Sequence, residues 1–173
     1  MTVSAPAKLN LSLRILGKRE DGFHELETLM VPVAGLSDLL EITGAESYTL
    51  ETGGAEVGPV DDNLVTKALR VFEEKTGRAC PYHITLEKRI PAGAGLGGGS
   101  SDAAAVLQAL NRLEGAGLGK DALGEMAEQL GSDVPFFMKG GTALIQDRGN
   151  NVLQLHKIRK LWILLVPEKN LMS

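Results

Sequence analysis

Five glycines lie between Gly93 and Gly99, and the chain then continues directly into Ser100, Ser101 and Asp102. Glycine loses more conformational freedom on folding than any other residue, so such a run indicates a backbone path that side chains would obstruct. A strand-like segment precedes the run and a segment with helical spacing follows it. Backbone N–H groups of this loop can converge on an anion, towards which the helix also directs its positive end. These flanks favour a phosphate-binding loop over a flexible linker.

The run can be compared with three glycine-rich nucleotide-binding loops: the Walker A loop, the dinucleotide-binding loop and the protein-kinase loop. The surrounding sequence argues against each. A Walker A loop requires a lysine after its last glycine, and none follows here. Gly93, Gly95 and Gly98 satisfy the pattern G-x-G-x-x-G. A dinucleotide site, however, needs that pattern early in a βαβ unit, and a protein kinase needs downstream H-R-D and D-F-G motifs. The remaining pattern is Pro-x-x-x-Gly-Leu-Gly-Gly-Gly-Ser-Ser-Asp-Ala-Ala at the start of a helix.

Composition and charge exclude several classes of protein. The 173 residues include 43% hydrophobic and 23% charged residues, as in an ordinary globular domain. A net charge of −4 without a basic block argues against nucleic-acid binding. The single cysteine, Cys80, cannot form an intramolecular disulfide. The N-terminus does not resemble a signal peptide, and the longest apolar run, residues 161–166, is too short to span a bilayer. We therefore predict a soluble, cytoplasmic protein.

The N-terminal segment alternates in the manner of a strand. Its apolar residues recur at every second position, from Leu9 to Ile15, with polar residues between them. The alternation predicts that the leucines face the core while Lys8 and Asn10 face away from it. From alternation alone, a solvated strand face is the favoured explanation of these two polar residues.

The rest of the chain predicts an α+β fold. Asn63 and Gly77 are suitable caps for a helix between them, and apolar spacing predicts two further helices, one starting near Ser100 and one around Leu123 to Leu130. The predicted strands cover residues 26–33, 39–43, 48–51, 82–86, 141–145 and 161–166.

Three separated motifs together resemble the GHMP kinases. They are the loop 91–104, the N-terminal Ala5-Pro6-Ala7-Lys8-Leu9-Asn10-Leu11 with the turn 17–24, and Gly131-Ser132-Asp133-Val134-Pro135-Phe136-Phe137. The N-terminal motif is most similar to the branch that phosphorylates 4-diphosphocytidyl-2-C-methyl-D-erythritol in the non-mevalonate isoprenoid pathway. The resemblance implies a GHMP kinase N-terminal domain, similar to ribosomal protein S5 domain 2. Its sheet is mixed and mainly antiparallel, with helices packed on it.

The resemblance also assigns roles to residues. It implies that Asp133 is the catalytic base and Lys8 its partner, and that Asn10, Phe23 and His24 bind the cytidine-diphosphate substrate. On sequence alone, a capping role for Asp133 is the favoured alternative. ATP and Mg²⁺ are the expected cofactors, without identified metal ligands, although Ser100 or Ser101 are candidates. The implied ATP-binding residues are Asn63, Leu64, Pro91, Ala92, Gly93, Ala94, Gly95, Leu96, Gly97, Gly98, Gly99, Ser100 and Ser101.

Members of this family carry a second domain after the first. We therefore expect residues 1–160 to form the N-terminal ATP-binding and catalytic domain, and residues 161–173 to be the stub of a C-terminal domain. The sequence after the strand at Gly141, residues 147–150, departs from the expected glycine-rich pattern. Two alternatives to the kinase remain open: a fragment that binds nucleotide without turnover, and another GHMP kinase of the homoserine or mevalonate type.

Overall fold

The computed structural model describes residues 1–18, 22, 24–54, 58–147, 151–155 and 161–166. One turn of 3₁₀ helix, Val60–Asp62, precedes the first α-helix. The strands are β1 (Thr2–Lys18), β2 (His24–Gly44), β3 (Thr49–Gly54), β4 (Tyr82–Lys88), β5 (Ala143–Asp147) and β6 (Asn151–Gln154). The helices are α1 (Leu64–Thr76), α2 (Gly98–Leu113), α3 (Lys120–Leu130) and α4 (Val134–Lys139). No helix in the described ranges has the length and apolar character needed to cross a membrane.

The six strands form one mixed sheet in the order β3-β4-β2-β5-β6, and β1 pairs along the other edge of β2. Strands β3 and β4 are parallel, and the other described pairs are antiparallel. This confirms the predicted α+β class with a mixed, mainly antiparallel sheet.

Strand β2 runs unbroken for 21 residues, so the prediction of separate strands at 26–33 and 39–43 was wrong. The register against β1 shifts between Pro6 and Ala7, which are opposite Ser37 and Val33. The intervening residues of β2 include Gly35, whose φ is +87°. A bulge of this kind kinks a strand without ending it.

The helices pack where their apolar faces predict. The Asn63 side chain accepts a hydrogen bond from the Val65 N–H at 2.9 Å and caps α1, which ends at Gly77 in the left-handed conformation. Helix α2 begins at Gly98, slightly before the predicted start at Ser100, and is buried along most of its length. The main core lies between these two helices and the buried faces of β2 and β4. It includes Leu40, Ile42, Leu69, Phe72, Ile84, Leu86, Val106, Leu107 and Leu110.

The predicted orientation of β1 was wrong. Lys8 is only 6% exposed, whereas Leu13 and Ile15 are 59% and 67% exposed. Alternation specifies the period of a strand but not which of its faces is covered. A further register shift between Asn10 and Ser12 also changes which residues share a face. Ala5 and Ala7, not the later leucines, are the fully buried side chains of this strand.

The C-terminal part of the prediction also needs correction. Residues 161–166 form no regular secondary structure, and the side chains of Trp162 and Leu164 are exposed. An apolar run becomes a strand only when a neighbouring strand pairs its backbone, and no described strand pairs with this one. Conversely, α4 and β6 were not predicted, because six and four residues are too few to show a period.

Candidate active site

Lys8 and Asp133 meet although they lie on different elements. The Lys8 Nζ is 3.2 Å from Asp133 Oδ2 and donates a hydrogen bond of 2.7 Å to Asn10 Oδ1. The Asn10 amide donates in turn to the Thr28 hydroxyl at 2.8 Å, and this hydroxyl donates to the Ser12 carbonyl. Thr28 is fully buried. This chain of hydrogen bonds fixes the lysine ammonium in front of the carboxylate.

Lys8 is also joined to the glycine-rich loop. Its backbone N–H donates to the Leu96 carbonyl at 2.9 Å. Gly97 has a φ of +71°, and a Cβ there would lie 2.9 Å from Lys8 Cγ and 3.1 Å from Phe137 Cε2. Only glycine therefore combines this conformation with passage of the lysine side chain. The loop and the ion pair form adjacent parts of one site.

Asp133 immediately precedes α4 but does not cap it. Its side chain makes no capping hydrogen bond, although it occupies the N-cap position. The first turn of α4 is buried through Val134, Pro135 and Phe136, which fixes the backbone on which Asp133 is carried. The carboxylate is partly exposed at 28% of its side-chain area and faces Lys8. The alternative of a purely capping role is therefore not supported.

The glycine-rich loop borders an open cavity of about 420 Å³, a volume in the range of small-molecule sites. Asn63 and Leu64 line its other wall, so the structure brings together the two sequence segments predicted to bind ATP. Gly93, Gly95 and Gly97 all have φ near +70°, as such a tight backbone path requires. The loop residues lining the cavity are Pro91, Ala92, Gly93, Ala94, Gly95, Leu96, Gly97, Gly98, Gly99 and Ser100.

Three buried charged residues next to this cavity were missed by sequence analysis. Lys88 Nζ donates to Asp38 Oδ2 and, at 2.8 Å, to Asp102 Oδ2. Asp38 Oδ1 accepts the backbone N–H groups of Arg89 and Ile90 at 2.6 and 2.8 Å. The sequence offered one weak signal, the acidic residue Asp102 among small residues near the start of a helix.

Burial and charge shift the titration of this cluster. Desolvation raises the pKa of Asp102 to about 7, since the nearby Lys88 only partly offsets it and Asp38 opposes ionisation further. Burial lowers the pKa of Lys88, but Asp102 and Asp38 together outweigh it and leave a raised pKa. Lys88 therefore remains charged at neutral pH, whereas the raised pKa of Asp102 favours its neutral form more than that of an exposed aspartate.

The other residues predicted to bind ATP or the acceptor are not brought to the cavity by the described structure. Ser101 is buried, does not line the cavity, and has a hydroxyl without a hydrogen-bond partner among the described residues. His24 begins β2 opposite Lys18. Phe23 lies outside the described residues, as does the segment 148–150.

The residues around the loop can accommodate Mg²⁺ only together with a ligand. In the described ranges, no three His, Cys, Asp or Glu residues cluster as a metal site. Mg²⁺ needs no such cluster when phosphate oxygens and water supply most of its ligands. Ser100 lines the cavity, and its hydroxyl would be the protein ligand of the ion.

Comparison with known proteins agrees with this geometry. Residues 63–141, which include the cavity wall, the loop and Asp133, match the family described as GHMP kinases N terminal domain. The chain carries a GHMP kinase N-terminal domain.

Curated relatives extend the similarity of this GHMP kinase domain over nearly the whole chain. It is 44% identical, over 97% of its length, to the 4-diphosphocytidyl-2-C-methyl-D-erythritol kinase of Dehalococcoides mccartyi strain 195, and covers 59% of that protein. It is 45% identical, over 92% of its length, to the enzyme of the same name from Carboxydothermus hydrogenoformans, and covers 55% of it. The chain thus spans somewhat more than half the length of these relatives.

Solved structures confirm the GHMP kinase fold. A crystal structure of 4-(cytidine 5'-diphospho)-2C-methyl-D-erythritol kinase matches with a TM-score of 0.77 and 43% identity, covering 90% of this chain and 55% of that one. The mevalonate kinase of Methanococcus jannaschii has a TM-score of 0.68 at 13% identity, covering 91% of this chain and 56% of that one. At this low identity, the second match concerns the fold alone.

Proposed function

We propose that this GHMP kinase domain transfers the γ-phosphoryl group of ATP to the 2-hydroxyl of 4-diphosphocytidyl-2-C-methyl-D-erythritol. The observation that carries this proposal is the pair of Lys8 and Asp133, 3.2 Å apart, at the end of a glycine-rich loop that borders a cavity. The similarity to kinases named for this substrate supports the choice of acceptor.

Asp133 is proposed as the general base. A carboxylate beside the acceptor hydroxyl can take its proton as the oxygen attacks phosphorus. Asp133 suits this role because its side chain is partly exposed and makes no capping hydrogen bond.

Lys8 is proposed to stabilise the negative charge that passes between carboxylate, acceptor oxygen and phosphoryl group. Its ammonium is held by Asn10 and Asp133 in a buried setting, where charge interactions are stronger than in water. The backbone hydrogen bond from Lys8 to Leu96 ties this ammonium to the loop.

The loop is proposed to hold the ATP phosphates, with the adenine near Asn63 and Leu64. Preorganised backbone N–H groups at the start of α2 provide the donors for phosphate oxygens. Mg²⁺, bound through the phosphates and Ser100, would neutralise their charge. Asn10, His24 and Phe23 remain the proposed contacts to the acceptor, with Phe23 stacking on the cytosine and His24 directed towards it.

The test is phosphoryl transfer by the purified chain, measured as ADP release with and without the cytidine-diphosphate acceptor. A full-length relative serves as the positive control, because the chain spans little more than half of such proteins. Acceptor-dependent ADP release is expected, and its absence under conditions where the relative turns over would refute activity of this chain.

Nucleotide binding without turnover is the second candidate function. The cavity at the loop favours it, because the residues that line this cavity include neither Lys8 nor Asp133. Calorimetric titration separates the candidates: ATP binding without acceptor-dependent turnover supports a binding module. Turnover with homoserine or mevalonate in a substrate panel would instead indicate another GHMP kinase.

A further inference from the structure

Thr28 lies on the face of the sheet that carries Lys8 and Asn10. Asn10 is opposite Met30 in the pairing of β1 with β2, and Thr28 is two residues from Met30 along β2. Residues two apart on a strand share a face, as do directly opposite residues of an antiparallel pair. The Thr28 hydroxyl therefore lies within reach of the Asn10 amide, which donates to it at 2.8 Å.

A bulge in β1 supplies the Thr28 hydroxyl with its second partner. The register of β1 against β2 shifts between Asn10 and Ser12. An extra residue of this kind interrupts the ladder locally and re-aims neighbouring groups, and bulges are frequent next to active sites. The Thr28 hydroxyl donates to the Ser12 carbonyl at 2.6 Å, and the Thr28 side chain is fully buried. This hydroxyl thus accepts one hydrogen bond and donates another.

The two ends of this chain of hydrogen bonds require the same orientation of the Asn10 amide. An ammonium has three donors and no acceptor, so Lys8 must face the amide oxygen. The single hydrogen of the Thr28 hydroxyl goes to the Ser12 carbonyl, so the hydroxyl oxygen must face the amide nitrogen. The oxygen and nitrogen ends of an amide are nearly the same in shape, so packing alone would not distinguish them. Thr28 makes that choice through its hydrogen bonds.

The orientation of Asn10 decides where Lys8 places its charge. An amide turned the other way would direct its N–H groups at the ammonium, and the repulsion would displace Lys8 from Asp133. In the observed orientation, Lys8 donates to Asn10 Oδ1 at 2.7 Å and lies 3.2 Å from Asp133 Oδ2. These are its side-chain partners within the described ranges, which leaves a third N–H for an oxygen of the transferred phosphoryl group.

We propose that Thr28 is a positioning residue for phosphoryl transfer. Its hydroxyl fixes the Asn10 amide and, through that amide, holds the Lys8 ammonium in front of Asp133. The inference rests on the proposed function, because it gives Thr28 a role in that reaction. Thr28 does not line the cavity at the loop, so it acts on the transfer step and not on nucleotide binding.

The kinetic test removes the hydroxyl and then restores it. Thr28→Val keeps the branched shape that suits a strand, but it leaves the Ser12 carbonyl and one Asn10 N–H without their partner. Its kcat should fall by about 10- to 100-fold, the scale of a displaced reacting group, while KM for ATP stays close to that of wild type. Thr28→Ser retains the hydroxyl and should recover most of the lost turnover.

Thr66→Val is the matched control. Thr66 is also fully buried, and its hydroxyl lies 2.8 Å from the Tyr48 hydroxyl and donates to the Val60 carbonyl at 2.7 Å. The variant therefore deletes a threonine hydroxyl with two partners, but on α1 instead of the strand that pairs with β1. Its stability should fall as that of Thr28→Val does, whereas its kcat should remain that of wild type.

A second readout follows Lys8 itself and needs no turnover. Lysine ammonium groups give ¹H–¹⁵N signals when acceptors hold them away from water, and Lys8 is 6% exposed. Lys88, equally buried and bonded to Asp38 and Asp102, provides an internal reference. Thr28→Val should lose the Lys8 signal and keep that of Lys88, whereas Thr28→Ser and the Thr66 control should keep both.

Each outcome decides for or against the inference. It is overturned if Thr28→Val keeps the Lys8 signal or the wild-type kcat, or if Thr28→Ser fails to recover them. Should Thr28→Val not fold, nuclear Overhauser effects in the wild type take its place. The Asn10 amide protons should then show a stronger effect to the Thr28 methyl group than to the Lys8 ε-methylene, and the reverse order contradicts the inference. Absence of turnover in the wild type would refute the proposed function, whereas the ammonium signals would still report whether Thr28 holds Lys8.

Discussion

The side chain of Lys8 passes over Gly97 so closely that a Cβ at position 97 would lie 2.9 Å from Lys8 Cγ. The Lys8 N–H also donates to the Leu96 carbonyl on the adjacent residue of the loop. The proposed catalytic lysine and the proposed phosphate loop are thus one packed unit, and a change in either alters the other.

Gly97→Ala is expected to destabilise the protein by more than the roughly 1–2 kcal/mol that a left-handed conformation costs an alanine. The added methyl group also collides with Lys8 and Phe137, so the lysine must move and phosphoryl transfer must fall. Urea denaturation measures the stability, and ADP release measures the transfer.

Gly93→Ala provides the matched control for this clash. Gly93 has the same φ of +71°, but a Cβ at position 93 would have nothing within 4 Å of it. This variant should lose only the roughly 1–2 kcal/mol that the left-handed conformation costs an alanine. Equal losses of stability in the two variants would show that contact with Lys8 contributes nothing.

Asp133→Asn is expected to lower turnover by at least about 100-fold, the usual scale for removal of a general base. Its ATP affinity should remain close to that of wild type, because Asp133 does not line the cavity at the loop. Stability should fall, because the buried Lys8 ammonium loses its charged partner, although no helix cap is lost. Turnover assays, ATP calorimetry and thermal melting measure the three quantities.

Asp121→Asn removes an exposed carboxylate in the first turn of α3 and serves as the control for Asp133→Asn. A large loss of ATP affinity in Asp133→Asn would instead mean that Asp133 serves the nucleotide or the fold.

The contribution of Asp102 to the stability of the folded protein should fall as the pH rises from about 4 to about 7. Asp102 has a pKa of about 7 in the folded state and about 3.9 when unfolded, so the folded state binds more protons in this window. The loss has a slope of up to about 1.4 kcal/mol per pH unit. It should be absent from Asp102→Asn, whose side chain does not titrate.

Melting temperatures at pH 5 and pH 8 measure this effect. The melting temperature of Asp102→Asn minus that of wild type should be several degrees larger at pH 8 than at pH 5. An unchanged difference would contradict the raised pKa of Asp102.

Asn63→Ala is expected to cost about 1 kcal/mol, because the Asn63 side chain caps α1 through the Val65 N–H. It should also weaken ATP binding, since Asn63 lines the proposed adenine end of the cavity. Asp61→Ala, which loses only an exposed ion pair with Arg70, should change stability by less than about 0.5 kcal/mol. Denaturation of both variants and ATP titration of Asn63→Ala provide the comparison.

Local sequence signals predicted the loop, α1 and α2 well, because caps, glycines and apolar spacing act within a few residues. The motif resemblance anticipated the contact between Lys8 and Asp133, which no periodicity could reveal. Burial of Lys8 could not be predicted, since alternation in β1 does not say which face the helices cover. The partner of Lys88, Asp38, could not be predicted either, because their meeting depends on the pairing of β2 with β4.

Strand β2 carries both Thr28, which supports the Lys8 network, and Asp38, which anchors the glycine-rich loop. The distance between the proposed acceptor site and the proposed nucleotide site therefore depends on the length of strand β2. Loss of a single residue between Thr28 and Asp38 would shorten that spacing by about 3.3 Å and exchange the faces of every residue beyond it. Insertions and deletions that surface turns tolerate would here separate nucleotide from acceptor, so this segment should hold its length as the rest of the sequence diverges.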